Sequence, residues 1–250
     1  MKLHLMHFSP HGIVRAYSQL LAGHRLCRAT GMALRPLVPE SVNSMTAAYN
    51  VLRTLRDARL TPPATLIDVG ANISQMARLL LGMNPAAKLL SFEPNPRLTP
   101  MGEVRRIALS DADGSADLFI PDADNDWGTI EASKAGLSDA TPRSTVPTRR
   151  LDSLVASGEL DWTSLPRPIF VKIDTEGSEK RVLDGFGNHL ADVAYLLVEV
   201  ENIEQRGRNY DLLSLSPVIA SHGFNRCKIV YSCYDGPDAP AYSDILFWKQ

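Results

Sequence analysis

Apolar residues along this chain form short runs, and most of these runs end at a polar or acidic residue. Such runs are typical of strands buried on both faces of a mostly parallel sheet. Between them lie segments whose apolar residues recur every three or four positions, which indicates amphipathic helices and hence an alternating α/β chain. We predict that the last two strands pair as a hairpin. The predicted strands are 66–69, 88–93, 105–111, 116–120, 146–151, 169–173, 194–201, 227–231 and 242–248, and the predicted helices are 44–59, 72–82, 152–155, 178–183 and 212–221.

The first strand leads into the segment Ile67-Asp-Val-Gly-Ala-Asn72, which places a glycine between a strand and a helix. We predict a tight turn at Gly70 and a helix that begins at Asn72, with Gln75 placed to form a capping box. In an α/β sheet such a turn brings backbone amides and a helix N-terminus against the polar groups of a ligand. Asp68 precedes the turn, and a carboxylate there suits a cationic or hydroxyl-bearing ligand better than a phosphate.

An acidic residue, Glu93, ends the second predicted strand, one helix after the glycine turn. A carboxylate at this position can accept hydrogen bonds from both hydroxyls of an adenosine ribose. The spacing fits either a dinucleotide or S-adenosylmethionine (SAM). A dinucleotide fingerprint needs Gly-x-Gly-x-x-Gly, whereas this turn has only Gly70, so the sequence favours SAM. An NAD-binding oxidoreductase is the alternative that these residues leave open.

Two further acids, Asp174 and Glu176, follow the apolar run at 169–173. Ligands of open α/β sheets bind at the carboxyl ends of the strands, which is where these two residues lie. Neighbouring carboxylates repel each other unless they meet a cation, a proton or a hydroxyl group, so the pair marks a candidate functional site. Glu199, near the end of the next predicted strand, is a third candidate for this pocket. Lys172, inside the apolar run, is predicted to form a structural ion pair.

Composition narrows the function classes further. The chain has 250 residues, of which 44% are hydrophobic, and this suits one large α/β domain. A net charge of −2 predicts no general affinity for nucleic acid. The three cysteines have neither the even number of a disulfide framework nor the spacing of a zinc site, which favours a reduced, cytoplasmic protein. No apolar run is long enough to span a bilayer.

The first 40 residues differ from the rest, because no acidic residue precedes Glu40. Their basic residues accompany an apolar pattern of helical spacing. This pattern fits a helix that contacts an anionic membrane surface or an acidic partner, or a helix packed on the domain with its basic face in water, and we favour the second interpretation. We predict a helical extension at 1–62 and a single domain at 63–250. The basic residues are Lys2, Arg15, Arg25, Arg28 and Arg35.

Five segments in a fixed order resemble the FkbM-type family of SAM-dependent methyltransferases, and the likeness runs from about residue 64 to the end of the chain. The resemblance implies a Rossmann-like class I methyltransferase sheet of seven strands, mostly parallel with an antiparallel last strand, and with helices on both faces. The segments are Ile67-Asp-Val-Gly-Ala-Asn72, Phe92-Glu-Pro-Asn-Pro96, Ala108-Leu-Ser-Asp111, Leu151-Asp-Ser-Leu154 and Val171-Lys-Ile-Asp-Thr-Glu-Gly-Ser-Glu179.

The same resemblance implies a role for each segment. It implies that Glu93 holds the ribose of SAM and that Ala108 to Asp111 border the adenine ring. It also implies methylation of a hydroxyl group on a sugar, polyketide or related natural product, and hence a small-molecule or glycan acceptor. The residues expected to cradle the methionine end of the cofactor are Asp68, Gly70, Ala71 and Asn72.

Transfer to a hydroxyl group needs a base that takes up the hydroxyl proton. Our candidates are Asp174, which we also place among the cofactor-binding residues, and Glu176, with Glu199 as the third. Such acids are compatible with a divalent ion, but we predict no metal site.

Two departures from the family pattern bear on activity. Ser74 stands where the family usually has glycine, and its side chain could crowd the cofactor or bond to it. Only residues 95–103 separate the second and third strands, although a parallel crossover normally needs a dozen residues or more and usually a helix. One flank of the sheet would then stay uncovered, pair with another subunit in a homo-oligomer, or be covered by the N-terminal segment. These departures also leave open a degenerate SAM-binding domain that serves as a partner subunit.

Overall fold

The computed structural model describes residues 40–120, 128–132, 140–201, 212–234 and 240–249. The predicted basic helix lies in 1–39, outside the described residues, so the N-terminal extension and its membrane contact stay predictions. The strands are β1 Thr65–Val69, β2 Lys88–Phe92, β3 Glu103–Arg105, β4 Ala108–Leu109, β5 Gly114–Phe119, β6 Arg143–Arg149, β7 Ile169–Ile173, β8 Val193–Glu201, β9 Arg226–Tyr234 and β10 Pro240–Trp248. The helices are α1 Glu40–Asp57, α2 Gln75–Leu80, α3 Leu151–Ala156, α4 Glu179–Phe186 and α5 Leu212–Ser221, with a 3-10 helix at Gly187–Asp192.

Seven strands form the central sheet in the order β3-β2-β1-β7-β8-β10-β9. β10 runs antiparallel to both of its neighbours, while the other pairs of adjacent strands are parallel. β9 and β10 pair as the predicted hairpin. A second sheet of three strands, in the order β4-β6-β5, follows the third strand of the central sheet. The α/β class, the mostly parallel sheet and the antiparallel last strand are therefore confirmed.

Helices cover both faces of the central sheet, as predicted. On one face, α3, α4 and α5 pack in a core that includes Leu151, Phe186 and Ile219. On the other face, α1 and α2 pack in a second core that includes Val51 and Leu80. None of the described helices has the length and hydrophobicity needed to cross a bilayer.

The predicted third strand at 105–111 is wrong, because this segment belongs to two sheets. Residues 103–105 pair with β2, and the Glu93 amide donates a hydrogen bond to the Arg105 carbonyl oxygen at 3.1 Å. The chain then leaves the central sheet, and Ala108 and Leu109 pair in parallel with β6. Both residues are buried, so the apolar character that suggested one long strand instead serves the second sheet.

The predicted capping box is also wrong. Asn72 and Ser74 both have positive φ angles, of 49° and 58°, and α2 begins only at Gln75. The Gln75 side chain does not return to the start of its helix, since its Oε1 accepts a hydrogen bond from the Ser44 hydroxyl of α1 at 3.3 Å. Residues 70–74 therefore form an extended turn, and the N-terminus of α2 lies at Gln75 instead of Asn72.

The connection between β2 and β3 contains no helix, as predicted, and hydrogen bonds hold it in place instead. The Arg106 guanidinium donates to the carbonyl oxygens of Asn95 and Leu98, each at 2.7 Å. The Met101 amide donates to the hydroxyl of Ser74 at 3.0 Å. Ser74 is 1% exposed, so its side chain anchors this connection instead of facing a ligand. The two departures from the family pattern are thus linked, because the Ser74 side chain anchors the short connection between β2 and β3.

Candidate active site

A cleft of about 620 Å³, including its open mouth, lies at the carboxyl ends of β1, β2 and β7. Gly70, Glu93 and Asp174, which follow three adjacent strands of the central sheet, all line it. The structure therefore brings the glycine turn and the two acidic strand ends together, at the edge where open α/β sheets bind ligands.

The turn at Gly70 holds the three strand ends close to one another. The amides of Gly70 and Ala71 both donate to the Phe92 carbonyl oxygen, at 3.0 and 3.2 Å, and the Asp174 amide donates to the Val69 carbonyl oxygen at 3.1 Å. Gly70 has a φ of 69°, and a Cβ at this position would lie 1.8 Å from the Asp174 carbonyl oxygen. Only glycine permits this close approach of β1 and β7.

Glu93 is fixed by the backbone of the turns beside it. Its carboxylate accepts hydrogen bonds from the amides of Asn72 and Asn95, each at 2.8 Å. The side chain is 6% exposed, and burial raises the pKa of its carboxyl group, although the two amide hydrogen bonds oppose this shift. A carboxylate held this rigidly at the cleft can accept further hydrogen bonds from a vicinal diol without reorganising.

Asp68 lies behind the glycine turn and is 2% exposed. Within the described part of the chain its oxygens accept no well-formed hydrogen bond, although the Lys172 ammonium is 3.3 Å away. Burial raises the pKa of Asp68 to about 6 because it outweighs the attraction of Lys172. Lys172 also lies 3.2 Å from Asp174 and donates to the Gly70 carbonyl oxygen at 2.8 Å, which confirms its predicted ion pair. Asp68 therefore lies behind the turn, opposite the Lys172 ammonium, and does not line the cleft.

The three candidate base residues converge. Asp174, Glu176 and Glu199 each bring a carboxylate oxygen within 4.8 Å of those of the other two. Asp174 and Glu176 line the cleft, and all three side chains are partly exposed. Parallel pairing of β7 with β8 produces this meeting, because it brings the ends of the two strands side by side.

Glu176 adopts a left-handed backbone conformation, with a φ of 57°. Such a conformation costs energy in a residue other than glycine, so the surrounding structure must hold it. The Thr129 hydroxyl donates to the Glu176 carbonyl oxygen at 2.8 Å. On the other side, a carboxylate oxygen of Glu179 accepts hydrogen bonds from the amides of Thr175 and Gly177, at 3.0 and 2.9 Å.

The second sheet and the segment packed on it supply an apolar wall of the cleft, formed in part by Ala108 and Leu118 of the sheet and by Ile130. Such a wall suits a flat aromatic base. Asp111, which was expected to border the adenine ring, is exposed and is not part of the cleft lining, and Ala71 is buried beneath the turn. The cleft lining therefore includes Ala108 and Leu109 but not Asp111, and the contact of Asp111 with adenine stays a prediction.

Sequence reasoning missed three residues of this region. Thr129 lies in a polar segment without periodicity, and no local signal marks it. Glu179 belongs to a segment that carries the family resemblance, but its role as a turn acceptor depends on the folded backbone. Asp244 lies directly opposite Glu199 in the β8–β10 pairing. An acid inside the apolar run of the last strand was the signal that could have found it.

Thr129→Val is expected to lower both stability and turnover. Thr129 is 1% exposed, and its hydroxyl donates to Glu176 and accepts from the Glu131 amide at 3.0 Å. The substitution removes the hydroxyl that bonds to the Glu176 carbonyl oxygen and to the Glu131 amide. This loss should lower the free energy of unfolding by about 1–3 kcal/mol. Chemical denaturation measures this change, and kcat should fall while the affinity for the cofactor product changes little. Thr145→Val, on an exposed position of β6, is the matched control. If both variants behave alike, Thr129 does not hold Glu176.

The strand order, the cleft at the strand ends and the acid at the end of β2 define a class I SAM-dependent methyltransferase. The family model described as "Methyltransferase FkbM domain" matches residues 68–226. The chain therefore belongs to the FkbM methyltransferase family, and its cofactor is SAM. The predicted resemblance is confirmed, and the NAD-binding alternative is not favoured.

Two curated relatives and one solved structure are similar to this chain. The 2-O-methyltransferase NoeI of Sinorhizobium fredii is 28% identical over 66% of this chain and 74% of its own length. The hexuronic acid methyltransferase AglP of Haloferax volcanii is 34% identical over 54% of this chain and 55% of its own length. The plantazolicin methyltransferase BpumL, solved with SAH, is 8% identical over 84% of this chain and 85% of its own, with a TM-score of 0.44. A TM-score this low supports no statement about function.

The residues of the cleft fit SAM. The cofactor carries a sulfonium and an ammonium group, and the cleft concentrates carboxylates around the strand ends. The Asp68 carboxylate, buried behind the turn and facing Lys172, adds negative charge behind these strand ends. Glu93 suits the ribose, and the wall of the second sheet suits adenine.

Proposed function

We propose that this protein transfers the methyl group of SAM to a hydroxyl group of a sugar or related glycan. The observation that carries this proposal is the meeting of Asp174, Glu176 and Glu199 beside the cofactor cleft, with oxygens within 4.8 Å. The names of NoeI and AglP, which act on a 2-O position and on a hexuronic acid, support a carbohydrate acceptor.

Methyl transfer from SAM to a hydroxyl group requires the protein mainly to orient the two reactants and to supply a base. Bound SAM supplies an activated methyl group on sulfur. The protein must hold an acceptor hydroxyl in line with that group. Because the two reactants are then already positioned, the reaction step avoids much of the entropic cost of a bimolecular encounter. A carboxylate within hydrogen-bond reach of the hydroxyl can take up its proton as the oxygen attacks, which contributes about 10²–10⁴-fold to the rate.

Each part of the described site has a role in this proposal. Glu93 and the turn at Gly70 orient the cofactor, and the apolar wall excludes water from one side. The acids at the ends of β7 and β8 bind the acceptor hydroxyls, and one of them acts as the base. The environment of Ser74 and of the short β2–β3 connection supports an active enzyme over a degenerate partner subunit, because neither departure disturbs the cleft.

The test uses labelled methyl transfer to a panel of neutral sugars, uronic acids and their methyl glycosides. Among the isosteric variants Asp174→Asn, Glu176→Gln and Glu199→Gln, we expect one to lose about 10²–10⁴-fold in kcat while it still binds S-adenosylhomocysteine. Asp117→Asn, an exposed acid on β5, is the control and should transfer normally.

Two results would refute the proposal. One is a thermal-shift response to NAD with none to SAM or S-adenosylhomocysteine. The other is tight cofactor binding with full transfer in all three variants, because the acids would then play no part in the reaction.

A further inference from the structure

A row of side chains crosses the carboxyl edge of the central sheet and leads away from the cofactor cleft. Asp174 follows β7 directly, and one of its carboxylate oxygens lies within 4.8 Å of one of Glu199 on β8. Asp244 on β10 is paired with Glu199 on one side and with Tyr231 of β9 on the other. Neighbouring strands are about 4.8 Å apart, so the position of Tyr231 is about 10 Å from that of Glu199.

Two tyrosine rings lie at the far end of this row. Tyr242 comes two residues before Asp244, so it is on the same face of the sheet. The ring centroids of Tyr231 and Tyr242 are 6.0 Å apart, with an angle of 46° between the ring planes. Both side chains are partly exposed, and Tyr231 also packs against the core beneath α1. The hairpin thus presents a partly open aromatic surface, which we call the tyrosine pair.

Aromatic rings beside carboxyl groups suit a sugar. The faces of a sugar ring carry C–H bonds, which pack on an aromatic ring, while its hydroxyl groups form hydrogen bonds around the rim. A sugar whose hydroxyl meets Asp174 or Glu199 lies at the cofactor cleft and is too short to cover Tyr231, two strands beyond Glu199. The next unit of a linked glycan can extend along the row and reach the tyrosine pair.

The charge of the row selects among sugars. Burial and the neighbouring carboxylates raise the pKa of Glu199 well above its usual range, because several acids crowd together here. The Lys172 ammonium already faces Asp68 and Asp174, at 3.3 and 3.2 Å. A sugar unit that carries a carboxylate would add a like charge beside these acids, whereas an uncharged unit would not.

We propose that Tyr231 and Tyr242 form a subsite for an uncharged sugar unit next to the unit that is methylated, and that the acceptor is therefore a glycan of at least two units. This inference rests on the proposed function for the class of acceptor, and on the tyrosine pair and the row of acids for the subsite. The two tyrosines bind the acceptor and take no part in the transfer of the methyl group.

Binding is tested on the whole chain with S-adenosylhomocysteine bound, by ¹⁹F NMR of protein labelled with 3-fluorotyrosine. Tyr231→Phe and Tyr242→Phe assign the two signals. The probes are neutral disaccharides built from glucose, galactose, mannose and N-acetylglucosamine, the matching single sugars, and disaccharides of which one unit is a uronic acid. We expect at least one neutral disaccharide to shift both signals, and the single sugars and uronic acid disaccharides to shift them less at the same concentration.

Kinetics separate a binding role from a structural one. Tyr231→Leu and Tyr242→Leu should each raise KM for the disaccharide acceptor about tenfold, because a stacked ring contributes binding energy of this order. The kcat and the affinity for S-adenosylhomocysteine should stay unchanged, since the cofactor cleft is not altered. The phenylalanine variants keep the ring and should retain the low KM. Ile229→Ala, at an exposed position of β9, is the matched control and should behave as the wild type.

Three results would overturn the inference. The first is that none of the disaccharides shifts the signals of the tyrosine pair. The second is that single sugars or uronic acid disaccharides shift them as strongly as neutral disaccharides. The third is that the phenylalanine variants lose as much as the leucine variants, because the aromatic ring would then not be the binding element. If no sugar is methylated, the proposed function fails, but the ¹⁹F shifts still decide whether the tyrosine pair binds a sugar.

Discussion

Gly70→Ala is expected to abolish cofactor binding and to lower the free energy of unfolding by about 3–5 kcal/mol. The new Cβ would lie 1.8 Å from the Asp174 carbonyl oxygen, and the residue would keep an unfavourable φ of 69°. The ends of β1 and β7 must then separate, which breaks the hydrogen bond between the Asp174 amide and the Val69 carbonyl oxygen. Denaturation curves and calorimetry with S-adenosylhomocysteine measure the two effects.

Gly158→Ala is the matched control for this variant. Gly158 has a similar φ of 78°, but a Cβ there would meet no atom within 4 Å. It should therefore cost only the strain of the left-handed backbone, about 1–2 kcal/mol, and leave cofactor binding intact. Equal destabilisation by the two substitutions would mean that backbone strain, and not the contact between β1 and β7, explains the need for glycine at position 70.

Glu93→Ala is expected to weaken binding of S-adenosylhomocysteine by at least about 100-fold, which corresponds to about 3 kcal/mol. The substitution removes the acceptor for the ribose hydroxyls and leaves the amides of Asn72 and Asn95 without their partner. The loss of a buried charged acceptor accounts for a magnitude of this order. Calorimetry on the purified protein measures the affinity directly.

Two further variants isolate the role of Glu93. Glu93→Gln keeps the shape and one carbonyl oxygen, so it should bind more tightly than the alanine variant and less tightly than the wild type. Glu103→Ala removes an exposed acid of β3, which pairs with Arg105 on the surface, and should bind normally. If Glu93→Ala and the wild type release equal heats with equal affinity, Glu93 does not bind the ribose.

The sequence predicted the architecture well because the patterns that mark strands, helices and turns lie within short segments of the chain. Apolar runs that end in acids mark buried parallel strands, and the rule that ligands bind at the carboxyl ends of strands then brings Glu93 and Asp174 to one cleft. The family resemblance added the strand count and the antiparallel last strand. The local predictions failed where one segment serves two sheets, at 105–111, and where positive φ angles replace a helix start, at 72–74.

The apolar pattern along the chain thus determined the α/β class, and the residues at the strand ends identified the glycine turn and the acids that follow β2 and β7. The tertiary structure alone decided which distant side chains act on these residues. Asp244 lies opposite Glu199 because β10 inserts between β8 and β9, and Thr129 reaches Glu176 from a segment that is bridged to Phe119 of β5. Such contacts depend on pairing between segments far apart in the chain, and the periodicity of a single segment carries no information about its partner.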